Sequence, residues 1–215
     1  MNRLIPLLIP LVALAANSQT IRYGQNAATP ANPAQSWTAS LEAEAGKKYD
    51  DAIADVVAYQ QAGGDPFLAA ERLGWLNYEK GDYAHAEEYY GVASRAIPTA
   101  INPLLGLLNT AEAQKDPRKI ERAAGSLLHT EPSNYRAQMA LGHMHLKMQD
   151  YQRAASEFRR VLMYYPDDLD AASGLAWAVY YLGGKHEALG LFQRILTVNP
   201  QYAYAQRGMA LAGAQ

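Results

Sequence analysis

The sequence predicts an all-α fold, an array of antiparallel helix hairpins stacked side by side, and three observations carry that prediction. Prolines recur at Pro98, Pro132, Pro166 and Pro200, each step being 34 residues. Other columns hold the same phase: position 7 is Leu73, Leu107, Leu141 and Leu175, and position 20 is Ala52, Ala86, Ile120, Ala154 and Ala188. Within each block, apolar or small residues at positions 4, 7, 8 and 11 share one helical face and those at 17, 20, 24 and 27 another. A period of this length marks a solenoid, whose units cannot bury their own faces and so stack on their neighbours.

Counting back from each proline gives blocks 67–100, 101–134, 135–168 and 169–202, and a further block, 33–66, fits in front in the same phase with Gly64 at the proline position. The first is degenerate, with Ser40 at position 8 and Gly63-Gly64 at its end, as expected of a terminal unit. In the second, Lys80-Gly81-Asp82-Tyr83 supplies a turn between two helices, because glycine readily ends a helix. The third departs most: Leu108 and Ile120 are large, and Pro117 falls in the first turn of its second helix, where the missing N–H has no intrahelical partner to lose. The fourth and fifth return to the pattern, the fifth turning at Leu182-Gly183-Gly184-Lys185. In the second to fifth blocks the closing proline stops the second helix. Ala203 to Gly213 begin a sixth block and stop, which predicts a capping helix over 203–213.

Ahead of the array, Arg3 and the free amine precede an apolar run from Leu4 to Leu14, and Ala13-Leu14-Ala15 or Ala16-Asn17-Ser18 offers small residues for cleavage. Residues 1–18 therefore read as a secretion signal. The run is about half of the ~20 residues a membrane span needs, and it contains Pro6 and Pro10. A tract rich in Ala, Asn, Pro, Gln and Thr follows, predicted to be a flexible linker over 19–32 that leads into the array at 33–215. The 49% hydrophobic and 19% charged composition is that of a folded chain, and the formal net charge of −2 offers no general attraction to nucleic acid or to an anionic membrane. The absence of cysteine excludes disulfides, thiolate metal sites, a cysteine nucleophile and a lipid anchor on an N-terminal cysteine.

The block pattern resembles the tetratricopeptide repeat. Leu73-Gly74, Gly81-Asp82-Tyr83, Ala86, Tyr90, Ala93 and Pro98 carry the likeness in the second block, and Leu141-Gly142, Asp150-Tyr151, Ala154, Phe158 and Pro166 in the fourth. The resemblance covers 33–213 and implies a right-handed superhelical α-solenoid. It also implies small residues at positions 8 and 20, where the helices of a hairpin approach. Gly74/Ala86, Gly142/Ala154 and Ala176/Ala188 fit, whereas Leu108 and Ile120 predict a wider hairpin in the middle of the array.

Catalytic motifs are absent from the sequence: there is no phosphate-cradling loop, nucleophile elbow or His-Glu-x-x-His helix. His143 and His145 are two apart on a helix and point to different faces, so they cannot chelate together. The chain is therefore read as non-enzymatic, with no cofactor and no metal site. The resemblance implies instead that positions 2, 5, 9 and 12 of the first helices face a concave groove. Trp37, Glu71, Trp75, Tyr78, Asn109, Arg136, Met139, His143, Trp177 and Tyr180 occupy those positions, and neighbouring position 13 adds Lys147 and Tyr181. Tryptophan and tyrosine bury large area while keeping a polar handle, which suits a binding surface. Groove lysines of the kind that clamp a chaperone's C-terminal carboxylates are missing at position 5, which holds Trp37, Glu71, Leu105, Met139 and Ser173.

The expectation is thus a periplasmic or secreted scaffold of a bacterial-type envelope, not a lipoprotein and not inserted in the membrane once the signal is removed. Its groove would take a partner peptide or helix. Two other readings stand beside it: a glycan-binding accessory of polysaccharide export, stacking sugars on Trp and Tyr, and a self-associating structural module.

Overall fold

Helix ends in this chain are set by capping side chains and prolines, and they recur at the repeat spacing. The structure is a computed structural model that describes residues 32–213, which form eleven α-helices. They are α1 (Pro33–Ala45), α2 (Tyr49–Gln61), α3 (Pro66–Lys80), α4 (Tyr83–Ala96), α5 (Ile101–Ala113), α6 (Pro117–Thr130), α7 (Tyr135–Lys147), α8 (Tyr151–Tyr164), α9 (Leu169–Tyr181), α10 (Lys185–Val198) and α11 (Ala203–Gly213). The predicted signal and the linker through residue 31 lie outside the described residues. No described helix is long and apolar enough to cross a membrane.

Carboxylate and amide caps open most of the helices. Asp65, Asp82, Asp116, Asp150 and Asp168 each accept a backbone N–H of the following turn, as do Asn32 and Asn134. Pro117 is the first residue of α6. The turn inside every hairpin passes through a left-handed residue at the same column: Lys47, Gly81, Lys115, Gln149 and Gly183. Only two of the five are glycine, so three hairpins hold a side chain at a φ that L-residues rarely adopt.

Each helix packs chiefly against the next in the chain, and the odd-numbered helices from α3 onward also touch one another. The odd helices therefore form one continuous wall and the even helices a second layer behind it. The core falls into three clusters: one around Ile53, Val56, Leu73 and Leu76, one around Leu104, Leu108, Leu127 and Met144, and one around Phe158, Val179, Phe192 and Ile195.

One packing device joins consecutive hairpins. The ring of Tyr90, at position 24, lies between Gly74 of its own hairpin and Gly106 of the next; a Cβ on either glycine would fall 2.7 Å or 2.4 Å from the ring. Phe158 does the same between Gly142 and Gly174, and Phe192 presses against Gly208 of the capping helix. The buried ring acts as a wedge that fits only because two backbones carry no side chain beneath it.

The middle hairpin changes the distribution of bulk. Leu108 is fully buried on the first helix, and the wedge column opposite holds Ala124, also fully buried. Leu108 and Ile120 by themselves predict a wider hairpin. The structure pairs a large first-helix residue with a small second-helix one, so the sizes are exchanged across the interface. The following residue at column 6 is accordingly Ala140, where Gly106, Gly174 and Gly208 follow an aromatic wedge.

At the N-terminal end the wedge is replaced by polar contacts. Val56 occupies column 24 and Arg72 occupies column 6. The Arg72 guanidinium pairs with Glu44, donates to the Ser40 carbonyl at 3.3 Å and lies 5.9 Å from the Trp37 ring centroid. Glu44 also accepts the indole N–H of Trp75.

Candidate ligand-binding groove

The wall of odd helices carries the residues singled out from the sequence, and the structure divides them into three groups. At the N-terminal end, Trp37 packs against Tyr59 (ring centroids 5.0 Å) beneath Arg72, so most of its face is used by the fold. Trp75 is 40% exposed, and its ring runs alongside Tyr78 at 6.2 Å. Glu71 is partly exposed nearby on the same helix.

In the centre, Arg136 of α7 reaches back to α5. It pairs with Glu112 and donates to the Asn109 side-chain carbonyl at 3.1 Å. Two of the predicted groove residues therefore satisfy each other. Met139 is 6% exposed and belongs to the core cluster with Phe158, so the structure places it in the interior and not on the groove. Column 5 lies at the edge of the buried stripe, and an unbranched apolar side chain there turns inward.

At the C-terminal end a cleft of ≈ 500 Å³ brings together His143, Lys147, Trp177 and Tyr181 with Leu146, Gln149, Tyr151, Tyr204 and Arg207. Its rings are ordered by one another. Tyr151 stacks on Tyr181 at 4.8 Å, Trp177 lies against Tyr181 at 5.8 Å, and Trp177 meets the Phe192 wedge edge-on at 5.3 Å. Tyr180 packs edge-on against both Trp177 and Tyr181. Trp177 is thus partly core, and its indole N–H is buried with no acceptor among the described residues.

His143 stands between the central and C-terminal groups, with part of its ring open to solvent. The concave wall around it withdraws it from bulk water, and this desolvation pushes its pKa down. Asp170, Glu112 and Asp168 act in the opposite sense and Arg136 with it, and the net effect is a lowered pKa. The imidazole is neutral near pH 7, which leaves Lys147 and Arg207 as the cations of the cleft.

Tyr204 and Arg207 were not selected from the sequence, although they occupy positions 2 and 5 of the truncated sixth block. The rule that found the others would have found them had the capping helix been treated as a groove-lining first helix. Tyr151, which carries the repeat likeness in the fourth block, stacks on Tyr181 and also forms a wall of the cleft.

Comparison with known proteins agrees with this architecture. Two family models described as tetratricopeptide repeat match residues 105–168 and 145–212, together about half of the chain. No curated protein matches it. Among solved structures, a tetratricopeptide repeat protein from Parabacteroides merdae ATCC 43184 superposes with a TM-score of 0.75 at 17% identity, covering 84% of this chain and 72% of that one. The MamA protein gives 0.70 at 15% identity, covering 80% and 94%. MamA from residue 41 onward of Desulfovibrio magneticus RS-1 gives 0.65 at 17% identity, covering 69% and 84%. At such identities the likeness is one of fold.

Proposed function

Because the chain belongs to the tetratricopeptide repeat family, whose members serve as protein-interaction scaffolds, we propose that it holds a partner's peptide or helical segment against the wall of odd helices, outside the cytoplasm. The observation that carries this reading is the set of aromatic side chains left open on that wall, Trp75 and Tyr181 foremost, above a core that is otherwise closed. Rings of this kind supply the anchors of protein interfaces, because they bury large area at small entropic cost. The export signal read from Arg3 to Ser18 supports the extracytoplasmic setting.

Two measurements test the proposal. Affinity capture from an envelope fraction, with the captured protein identified by mass spectrometry, should be lost on Trp75→Ala and kept on Glu88→Lys, an exposed substitution on the second layer of helices. Capture indifferent to Trp75, or lost with Glu88, removes the groove from the reading. N-terminal sequencing of the exported protein should begin between Ala16 and Gln19; a mature chain still starting at Met1 in the membrane fraction overturns the export.

A further inference from the structure

We infer that the C-terminal cleft recognises an acidic segment of a partner protein, with acidic side chains alternating with apolar ones. This deepens the groove reading above and rests on it. The argument is one of donors and acceptors. Among the described residues the charged side chains lining the cleft are Lys147 and Arg207, and no carboxylate lines it, in a chain whose formal net charge is −2. Neither cation takes part in an ion pair among the described residues, whereas Arg72, Arg136, Arg153, Arg159 and Arg160 do. The hydroxyls of Tyr151, Tyr181 and Tyr204 make no hydrogen bond within the described residues either. Two cations and three phenolic O–H groups therefore converge on one concavity with no anion among its described lining residues, and carboxylates are the complement of such a surface.

The apolar half of the specificity comes from Leu146 and the ring edges of Trp177 and Tyr181 on the floor. A polypeptide fits this floor better than a sugar. Sugar stacking needs an open ring face, and Tyr181 has both Tyr151 and Trp177 stacked against it. Of Tyr181, edge and hydroxyl remain presented, and the exposed Tyr204 stands beside it, which suits branched aliphatic or aromatic side chains and the carboxylates next to them.

The cleft also gives the groove a polarity. Glu71 and Glu79 lie on the N-terminal part of the wall, on α3, while Lys147 and Arg207 lie on the C-terminal part. A longer bound segment would place this acidic stretch toward α11, an orientation fixed by charge before any side chain is seated.

The test uses the full-length protein and three probes: a soluble peptide in which Glu and Asp alternate with Leu and Phe, its counterpart with Lys and Arg in place of the acids, and an oligogalacturonate. Binding is followed by calorimetry and by tryptophan fluorescence at low and physiological salt. The acidic peptide should bind at least ~10-fold more tightly than the basic one. The double variant Lys147→Glu, Arg207→Glu should lose ~10-fold or more of that affinity. Both side chains are exposed, so the variant should melt with the wild type. Equal binding of the two peptides, or no loss in the double variant, overturns the inference. Binding of the oligogalacturonate without the acidic peptide transfers the cleft to a glycan ligand and overturns it equally. If envelope capture depends on Trp75 but not on Lys147 and Arg207, the groove reading stands and the acidic partner falls.

Discussion

Tyr90 and Phe158 each rest on two glycines, and those glycines are the residues whose replacement the fold should feel most. Gly174→Ala would set a methyl group 2.4 Å from the Phe158 ring. The expected cost is about 1–3 kcal/mol from overpacking, read as a lower Tm. Gly125→Ala is the control: nothing lies within 4 Å of its Cβ, it sits inside α6, and it should stabilise by about 0.5–1 kcal/mol. Two tryptophans at the same repeat position should also part company. Trp75→Ala removes a partly exposed ring together with its indole donor to Glu44, and should weaken partner binding by ~2 kcal/mol at a smaller cost in melting than Trp177→Ala. Trp177→Ala removes a ring packed on Phe192 and should cost about 3 kcal/mol of stability. His143 adds a pH signature. Its folded pKa lies below the ordinary ~6.5 that it regains on unfolding, so the unfolded chain binds the proton more readily. The associated stability is complete above that value and falls as the pH drops through it. Thermal melts between pH 7.5 and 5 should show a smaller acid loss in His143→Gln than in the wild type.

The hairpin is the element whose existence the sequence declared most clearly. Prolines, caps and the alanine column at position 20 are properties of single residues repeated at a fixed step, and they need no knowledge of contacts. What stayed hidden was the coupling between elements. The trade of Leu108 for an aromatic at column 24 is visible only when α5 and α6 are laid together. The internal pairing of Asn109 with Arg136, which joins α5 to α7, and the turning of Met139 into the core are hidden for the same reason. The polar staple between α1 and α3 belongs to this class. Glu44 accepts from Trp75 and pairs with an Arg72 side chain only 12% exposed. Glu44→Ala leaves that guanidinium without its carboxylate and should cost about 1–3 kcal/mol. Hydrogen exchange should quicken in α1 and α2 while α7 to α10 keep their protection. A uniform change along the chain would show that the staple is not local.

Across the whole molecule, three core clusters in series replace a single centre, and stability is then a sum of unit and neighbour terms. The central cluster has no aromatic wedge, so the two ends need not melt together. Single-tryptophan proteins can read this directly. Trp37→Phe with Trp177→Phe leaves Trp75 to report on α3, and Trp37→Phe with Trp75→Phe leaves Trp177 to report on α9. Urea midpoints that differ between the two would show sequential unfolding, and coincident midpoints a two-state array.

The rings lodged between neighbouring hairpins also say where such a chain can be cut and rejoined. A spliced repeat placed after Pro166 would inherit Phe158 from upstream and must bring a residue without a side chain at its own sixth position, as Gly174 is now. One placed after Pro132 follows Ala124 and can bring alanine there, as Ala140 is now. The unit of exchange is therefore not the block counted from proline to proline. It runs from one wedge to the next, and lengthening or shortening the array succeeds at the seams where the wedge and the residue it rests on travel together.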